Sequence, residues 1–186
     1  MGDIAFDHEP VLAGSHVRLR PFREDDLDAL WQMLCDEEGN RLTGTHAAFT
    51  REAAEQWYRS RGQDTDRLDL AIATLEDDTC VGEVVVNDLD ADNRSCGFRI
   101  SLVGPSRYGR GYGTEATRLL MTHVFAVGVH RVELEVFAFN PRARHVYEQV
   151  GFVVEGIRRD ALLWDGAYHD AVVMGLLSHE WDPSSP

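Results

Sequence analysis

The stretch Ser106-Arg107-Tyr108-Gly109-Arg110-Gly111-Tyr112-Gly113-Thr114-Glu115-Ala116 constrains this chain more than any other. Gly109, Gly111 and Gly113 stand at alternate positions. Each glycine loses more backbone freedom on ordering than any other residue, so the run suits neither a helix interior nor a strand. After it, residues 116–125 place apolar side chains at helical spacing, and before it residues 97–103 read as a strand. Strand, glycine loop and helix form an anion cradle. Glycines let backbone N–H groups close on a phosphate, and the helix N-terminus adds partial positive charge. A phosphate-bearing cofactor is expected.

The loop's position narrows the cofactor. Gly111 to Ala116 also fits the dinucleotide fingerprint G-x-G-x-x-[GA], with Glu133 and Glu135 near the distance of a ribose-binding acid. In that fold, however, the first glycine follows its strand almost directly. Here Gly104-Pro105-Ser106-Arg107-Tyr108 intervene, and two strand-like runs come earlier. Dinucleotide binding is therefore the remote alternative. The P-loop is absent, since no Gly-Lys-Ser/Thr follows.

Periodicity and punctuation place the remaining elements. Residues 17–21 read as a first strand, and Asp25 or Asp26 caps a helix running to about Cys35. Thr50 caps a helix over residues 51–61, and residues 62–66 form a polar loop. Strands follow at 68–74, 81–86 and 96–103. The helix behind the glycine loop ends near Val127, with Gly128 in the C-cap position. Residues 132–137 alternate as a strand, Asn140-Pro141 starts a helix that Gly151 closes, and 152–158 and 171–176 are the last strands. This order predicts one α/β domain with a mixed sheet and helices on both faces. Residues 1–14 are expected as an extension, 15–181 as the domain and 182–186 as a loose tail.

At 186 residues and 44% hydrophobic, the chain has enough length for a proper core. No apolar run approaches the roughly 20 residues of a membrane helix, and no basic-then-apolar leader opens the chain. A cytoplasmic protein without membrane contact is expected. Cys35, Cys80 and Cys96 are spaced for neither a disulfide framework nor a metal, and the histidines form no HExxH-like pair. No metal is expected. The net charge of -14 argues against nucleic acid and steers cationic partners such as amines.

Tyr108-Gly109-Arg110-Gly111-Tyr112-Gly113-Thr114-Glu115-Ala116 resembles the acetyl-CoA pyrophosphate loop of the GNAT N-acetyltransferases, whose pattern is [Gln/Arg]-x-x-Gly-x-[Gly/Ala]. Gly111 and Gly113 match the last two fixed positions, and Tyr108 departs from the usual Gln or Arg, as in the branch acting on protein N-termini. Asn140 to Phe152 is similar to that branch's Asn-x-x-[Ser/Ala]-x-x-x-Tyr-x-x-x-Gly-Phe. Further likenesses are Val17 to Pro21 with Asp25-Asp26, Glu155 to Arg158, Asp165 to Asp170, Met174, and Glu180-Trp181.

The resemblance implies a single curved sheet of about seven strands whose two central parallel strands, 96–103 and 132–137, splay apart. It implies acetyl-CoA as co-substrate, held by Ile100, Ser101 and Leu102 through their backbone. The loop Tyr108, Gly109, Arg110, Gly111, Tyr112, Gly113 and Thr114 takes the pyrophosphate, with help from Asn140 and from Arg142 or Arg144. Direct transfer to an amine is implied, in a ribosomal-protein N-terminal acetyltransferase branch whose relatives also modify small amines and antibiotics. A homodimer is expected. The alternative of another kind is a non-catalytic acyl-CoA-binding domain.

Acetyl transfer needs a deprotonated amine, a polarised thioester carbonyl and a protonated leaving thiolate. The resemblance makes Tyr147 the acid beside the sulfur; equally, Ala143, Val146, Tyr147 and Val150 form a helical apolar face that makes Tyr147 a core residue. For the base, related enzymes often carry a glutamate where Ser95 stands here. The remaining candidates are Glu83 and the pair Glu133 and Glu135, which share a strand face. A water relay is the other option. Glu115 reads as a first-turn helix acid. Substrate determinants are expected in residues 25–61 and 162–170.

Overall fold

β-Branched and apolar runs build the centre of the sheet, and the computed structural model describes them within residues 4–6, 8–61 and 64–184. The order is β1 (Leu12–Ala13), β2 (Val17–Arg20), α1 (Leu27–Cys35), α2 (Glu37–Thr43), α3 (Arg51–Ser60), β3 (Leu68–Thr74), β4 (Cys80–Asp90), β5 (Ser95–Leu102), α4 (Tyr112–Ala126), β6 (Arg131–Phe137), α5 (Pro141–Val150), β7 (Val153–Trp164) and β8 (Ala167–Leu177). Among the described residues eight strands form one sheet, ordered β1-β2-β3-β4-β5-β6-β8-β7. Every neighbouring pair is antiparallel except β5 and β6. The strand beyond the expected seven is β1, two residues long and within residues 1–14.

β5 and β6 pair only over Ser95–Gly97 and Arg131–Glu133. Beyond Gly97, β5 keeps its β4 partners, with Val84 opposite Ile100 and Glu83 opposite Ser101, but has no partner on β6. The expected splay is present.

Strand alternation sorts the faces. Phe98, Ile100 and Leu102 of β5 join Leu70, Ile72, Val84 and Val86 in the main core, which α4 and α5 close with Leu120, Val124, Tyr147 and Val150. A fully buried aliphatic side chain such as Leu120 or Ile72 contributes about 1.5–3 kcal/mol. On the opposite face α1 and α3 build a smaller cluster of Leu30, Met33 and Tyr58, with Phe22 and Leu34 against it.

Local signals explain most boundaries. The Thr50 hydroxyl accepts from Ala53 N–H at 3.2 Å, and Asn140 Oδ1 accepts from Ala143 N–H at 3.1 Å. Asp26 does stand at the N-cap position of α1, which starts at Leu27, but it ends a short 3-10 turn with Asp25 and its side chain makes no capping hydrogen bond. The Asp26 carboxylate turns instead to buried Arg20, at 2.7 and 3.0 Å, and to Arg23 N–H at 2.8 Å. That fork-to-fork pair satisfies a guanidinium that would otherwise be costly to bury. The long β7–β8 hairpin exceeds the two short strands expected there, turning at Asp165 and Gly166, both with positive φ. Of the expected 62–66 loop, residues 62 and 63 lie outside the described residues, as do 185 and 186 of the tail and 1–3 and 7 of the extension. No described helix is long and apolar enough to cross a membrane.

Candidate active site

The splay opens a cleft of about 600 Å³ that runs from the glycine loop, between β5 and β6, to the opposite sheet face. Its loop end is built from backbone. Gly109 (φ 72°) and Gly111 (φ 80°) are left-handed, and a Cβ at either would point into open space. Gly111 is the N-cap of α4 and brings no side-chain cap, so the helix presents its first N–H groups outward. Open space at the glycines and uncapped donors at a helix N-terminus fit a pyrophosphate. Beside them the Arg142 guanidinium stacks 3.8 Å over the Tyr108 ring. Burial, then the nearby Asp36 carboxylate, pushes the Tyr108 phenol up.

Tyr147 stands on the α5 side of the gap, 8% exposed, with its ring edge-on to Phe98 at 6.2 Å and to Phe152 at 6.0 Å. Burial pushes its phenol up to about 12. The side chain is thus both core and cleft wall.

The far end is built from side chains. Gly97, Arg99 and Ser101 of β5 share this face with Glu83, Val85 and Asn87 of β4 and with Glu133, Glu135 and Phe137 of β6. Glu83 Oε2 accepts from Arg61 at 2.9 Å and from the Tyr58 hydroxyl at 3.4 Å. Arg61 also meets Asp69 at 2.8 Å and stacks over Trp57 at 3.6 Å. Glu135 pairs with Arg158, and Glu133 with Arg131 at 3.2 Å. α2 roofs this end with Gly39, Leu42 and Thr43. Gly44 (φ 67°) lets the chain leave α2 so close to the sheet that a Cβ would meet the Phe137 ring at 2.8 Å.

Of the residues singled out in the sequence, Glu83, Ile100, Ser101, Leu102, Tyr108, Gly109, Gly111, Gly113, Thr114, Glu135, Asn140, Arg142 and Tyr147 line this one cleft. Arg110 is exposed outside it, and Tyr112 packs against the main core. Ser95 sits in the paired segment, opposite Arg131. Arg144 pairs with Glu148 at 2.8 Å. Glu115 does more than complement its helix: its carboxylate accepts from the backbone N–H groups of Ser15, His16 (3.0 Å) and Val17 (3.1 Å). α2, Arg61 and Arg99 escaped sequence reasoning. The two stretches expected to hold substrate determinants meet behind α2, around a cavity of about 770 Å³, where His46 stacks on Trp164 at 4.8 Å. Among the described residues no cluster of metal-ligating side chains occurs.

A splayed parallel pair, an uncapped glycine-rich helix start and a tyrosine between them define an acyl-CoA-dependent N-acyltransferase. Residues 16–153 match the family profile described as "Acetyltransferase (GNAT) domain", and the chain belongs to the GNAT acetyltransferases, enzymes that use acetyl-CoA as donor. It is 27% identical over 175 residues to the Bacillus subtilis protein named "Putative ribosomal N-acetyltransferase YdaF", covering 90% of this chain and 94% of that one. To the spermidine N(1)-acetyltransferase of Escherichia coli K12 it is 26% identical, covering 89% of this chain and 88% of the relative. In fold it is similar to the crystal structure of spermidine N-acetyltransferase from Vibrio cholerae in complex with CoA and spermine. That match has a TM-score of 0.83 and 22% identity over 90% of this chain and 98% of the other.

Proposed function

We propose that this acetyltransferase passes the acetyl group directly from acetyl-CoA to a primary α-amine, with donor and acceptor bound on opposite faces of the splayed strands. One observation carries the reading. The β5–β6 gap joins the glycine loop to a face bearing Glu83 and Glu135, with Tyr147 on its wall.

Bound acetyl-CoA supplies an activated thioester. The N–H groups from Gly109 to Thr114 hold its pyrophosphate, Arg142 meets its phosphate, and the β6-facing backbone edge of Ile100, Ser101 and Leu102, which has no strand partner, takes the pantetheine amides. Tyr147 donates a proton to the departing thiolate. Its phenol, held near 12, keeps that proton throughout the neutral range. Glu83 or Glu135 accepts the proton of the amine, directly or through water; Glu83 Oε1 and Glu135 Oε2 are the oxygens not committed to an arginine. An α-amine titrates near pH 8 and a lysine near 10.4, so the α-amine needs less assistance at neutral pH. The block Asn140 to Phe152, similar to that of the branch acting on protein N-termini, and the ribosomal relative both support that acceptor. A cytoplasmic homodimer belongs to the same proposal.

Calorimetric titration with acetyl-CoA, with NADH as control, tests the donor. Binding of acetyl-CoA alone is expected, and no binding removes the reading. Acetylation is then screened on free amino acids, peptides with free N-termini, lysine peptides and spermidine. All 18 basic residues of the chain are arginine, so acetyl-lysine in such screens never arises from the enzyme itself.

A further inference from the structure

We infer that the acceptor carries a carboxylate close to its amine, and that Arg99 binds it; the inference rests on the acetyl-transfer reading above. Strand alternation turns Phe98 and Ile100 towards the main core and places Arg99 on the α2-roofed face. There it lines the cleft within the segment where β5 has lost β6. Its side chain is exposed, and its cross-strand neighbour is apolar Val85. Among the described residues Arg99 has neither a hydrogen bond nor an ion pair from its side chain.

The acids of the same cleft are in the opposite condition. Glu83 is held by Arg61, which also meets Asp69, Glu133 by Arg131, which it shares with Glu155, and Glu135 by Arg158. Asp88 takes a hydrogen bond from the Asn87 amide and, among the described residues, forms no ion pair with an arginine, although the Arg67 charge is close enough to act on it. The overall charge of -14 is therefore not concentrated where the acceptor enters. A polyamine would find three carboxylates that each already face an arginine, Asp88 without an ion pair, and the unpaired Arg99 guanidinium in its way. An amine that also bears a carboxylate finds the guanidinium's planar fork, whose geometry matches two carboxylate oxygens. Two sources provide this chemistry: the α-carboxylate of a free amino acid, and an Asp or Glu side chain following the N-terminal residue of a peptide.

The test compares matched pairs at saturating acetyl-CoA, with rates expressed per deprotonated amine because a neighbouring carboxylate makes the amine more basic: leucine against leucinamide, and C-terminally amidated Ala-Glu-Ala-Ala against Ala-Gln-Ala-Ala, with spermidine as the polycation. Calorimetry with CoA present reads binding of the same compounds without turnover. The acidic member of one pair should be favoured by about tenfold or more in kcat/KM, and which pair responds identifies the source. Arg99→Gln should bring that ratio to about one, while Arg99→Lys, which keeps the charge but loses the fork, retains part of it. Equal rates within both pairs, preference for the amides or for spermidine, or discrimination that survives in Arg99→Gln overturns the inference. If Arg99→Gln does not fold, the wild-type ratios and Arg99→Lys decide alone. Loss of both acetyl-CoA binding and all acetyl transfer removes the acetyl-transfer reading instead, and calorimetric discrimination between acid and amide still decides Arg99.

Discussion

The two ends of the cleft are made by different means. At the donor end, positive φ at Gly109 and Gly111 and an uncapped helix start present backbone donors to a ligand. At the acceptor end, side chains from β4, β5, β6 and β7 converge, with Glu83, Glu133 and Glu135 each facing an arginine and Arg99 facing none. A backbone site is set by local conformation and tolerates almost any neighbouring side chain. A side-chain site is set by long-range packing and changes with single substitutions. Such a division lets one donor serve many acceptors on the same fold.

The largest separation between the ends is expected from Arg61→Leu. Removing this nearly buried guanidinium leaves Glu83 without its arginine and should destabilise the fold by about 3 kcal/mol, read from the urea midpoint. Acetyl-CoA affinity below the transition should not follow it, because Arg61 touches nothing at the donor end; a parallel loss of affinity would break the comparison. Next comes Tyr147→Phe, which keeps the ring between Phe98 and Phe152 but removes the phenol. We expect kcat to fall about a hundredfold with donor affinity retained, and unchanged kcat would remove Tyr147 from the chemistry. The pH profile carries the matching sign. A phenol near 12 is a donor at every pH below that, so wild-type kcat should rise as the amine deprotonates and show no Tyr147-dependent fall before about pH 12.

Gly111→Val should act at the donor end only, forcing a β-branched residue to φ 80° at a cost of about 1–2 kcal/mol and weakening acetyl-CoA by about tenfold. The acceptor's KM should be spared. The smallest effect is chemical. Burial pushes the thiols of Cys80 and Cys96 up to about 12, so both stay protonated and unreactive below that, whereas Cys35 is exposed at the end of α1. Native protein should titrate one thiol quickly with a disulfide reagent and three after unfolding.

The same division explains what the sequence disclosed. Local rules were enough for Thr50, Asn140-Pro141 and Gly151, and for the glycine loop, because caps and positive-φ turns are encoded by the residues that form them. α2 was missed because Glu37–Thr43 contains Gly39 and has no apolar period, and its exit at Gly44 is set by the closeness of Phe137 and Leu162, which no local residue reveals. Asp26 was read as a cap because nothing nearby reveals that Arg20 needs its carboxylate. Glu83 and Glu135 were recognisable as acids, but their arginines lie 22 and 23 residues away. Arg99 carried no local signal at all. Its meaning depends on the partners it lacks.

The Glu115 carboxylate gives the chain's beginning an unexpected mechanical role. It grips the backbone of residues 15–17 from the first turn of the very helix whose end faces the donor. Load applied ahead of Ser15, from a tether, a fusion or a surface attachment, is borne first by buried Phe6 and by the β1–β2 pairing, and what passes them reaches the anion-binding turn through that clamp. Immobilising the enzyme by that end should therefore loosen its grip on acetyl-CoA once the load strips β1 from β2, while attachment after Trp181 pulls farther along α4, where Arg118 stacks on Trp181 and donates to the Asp182 carbonyl.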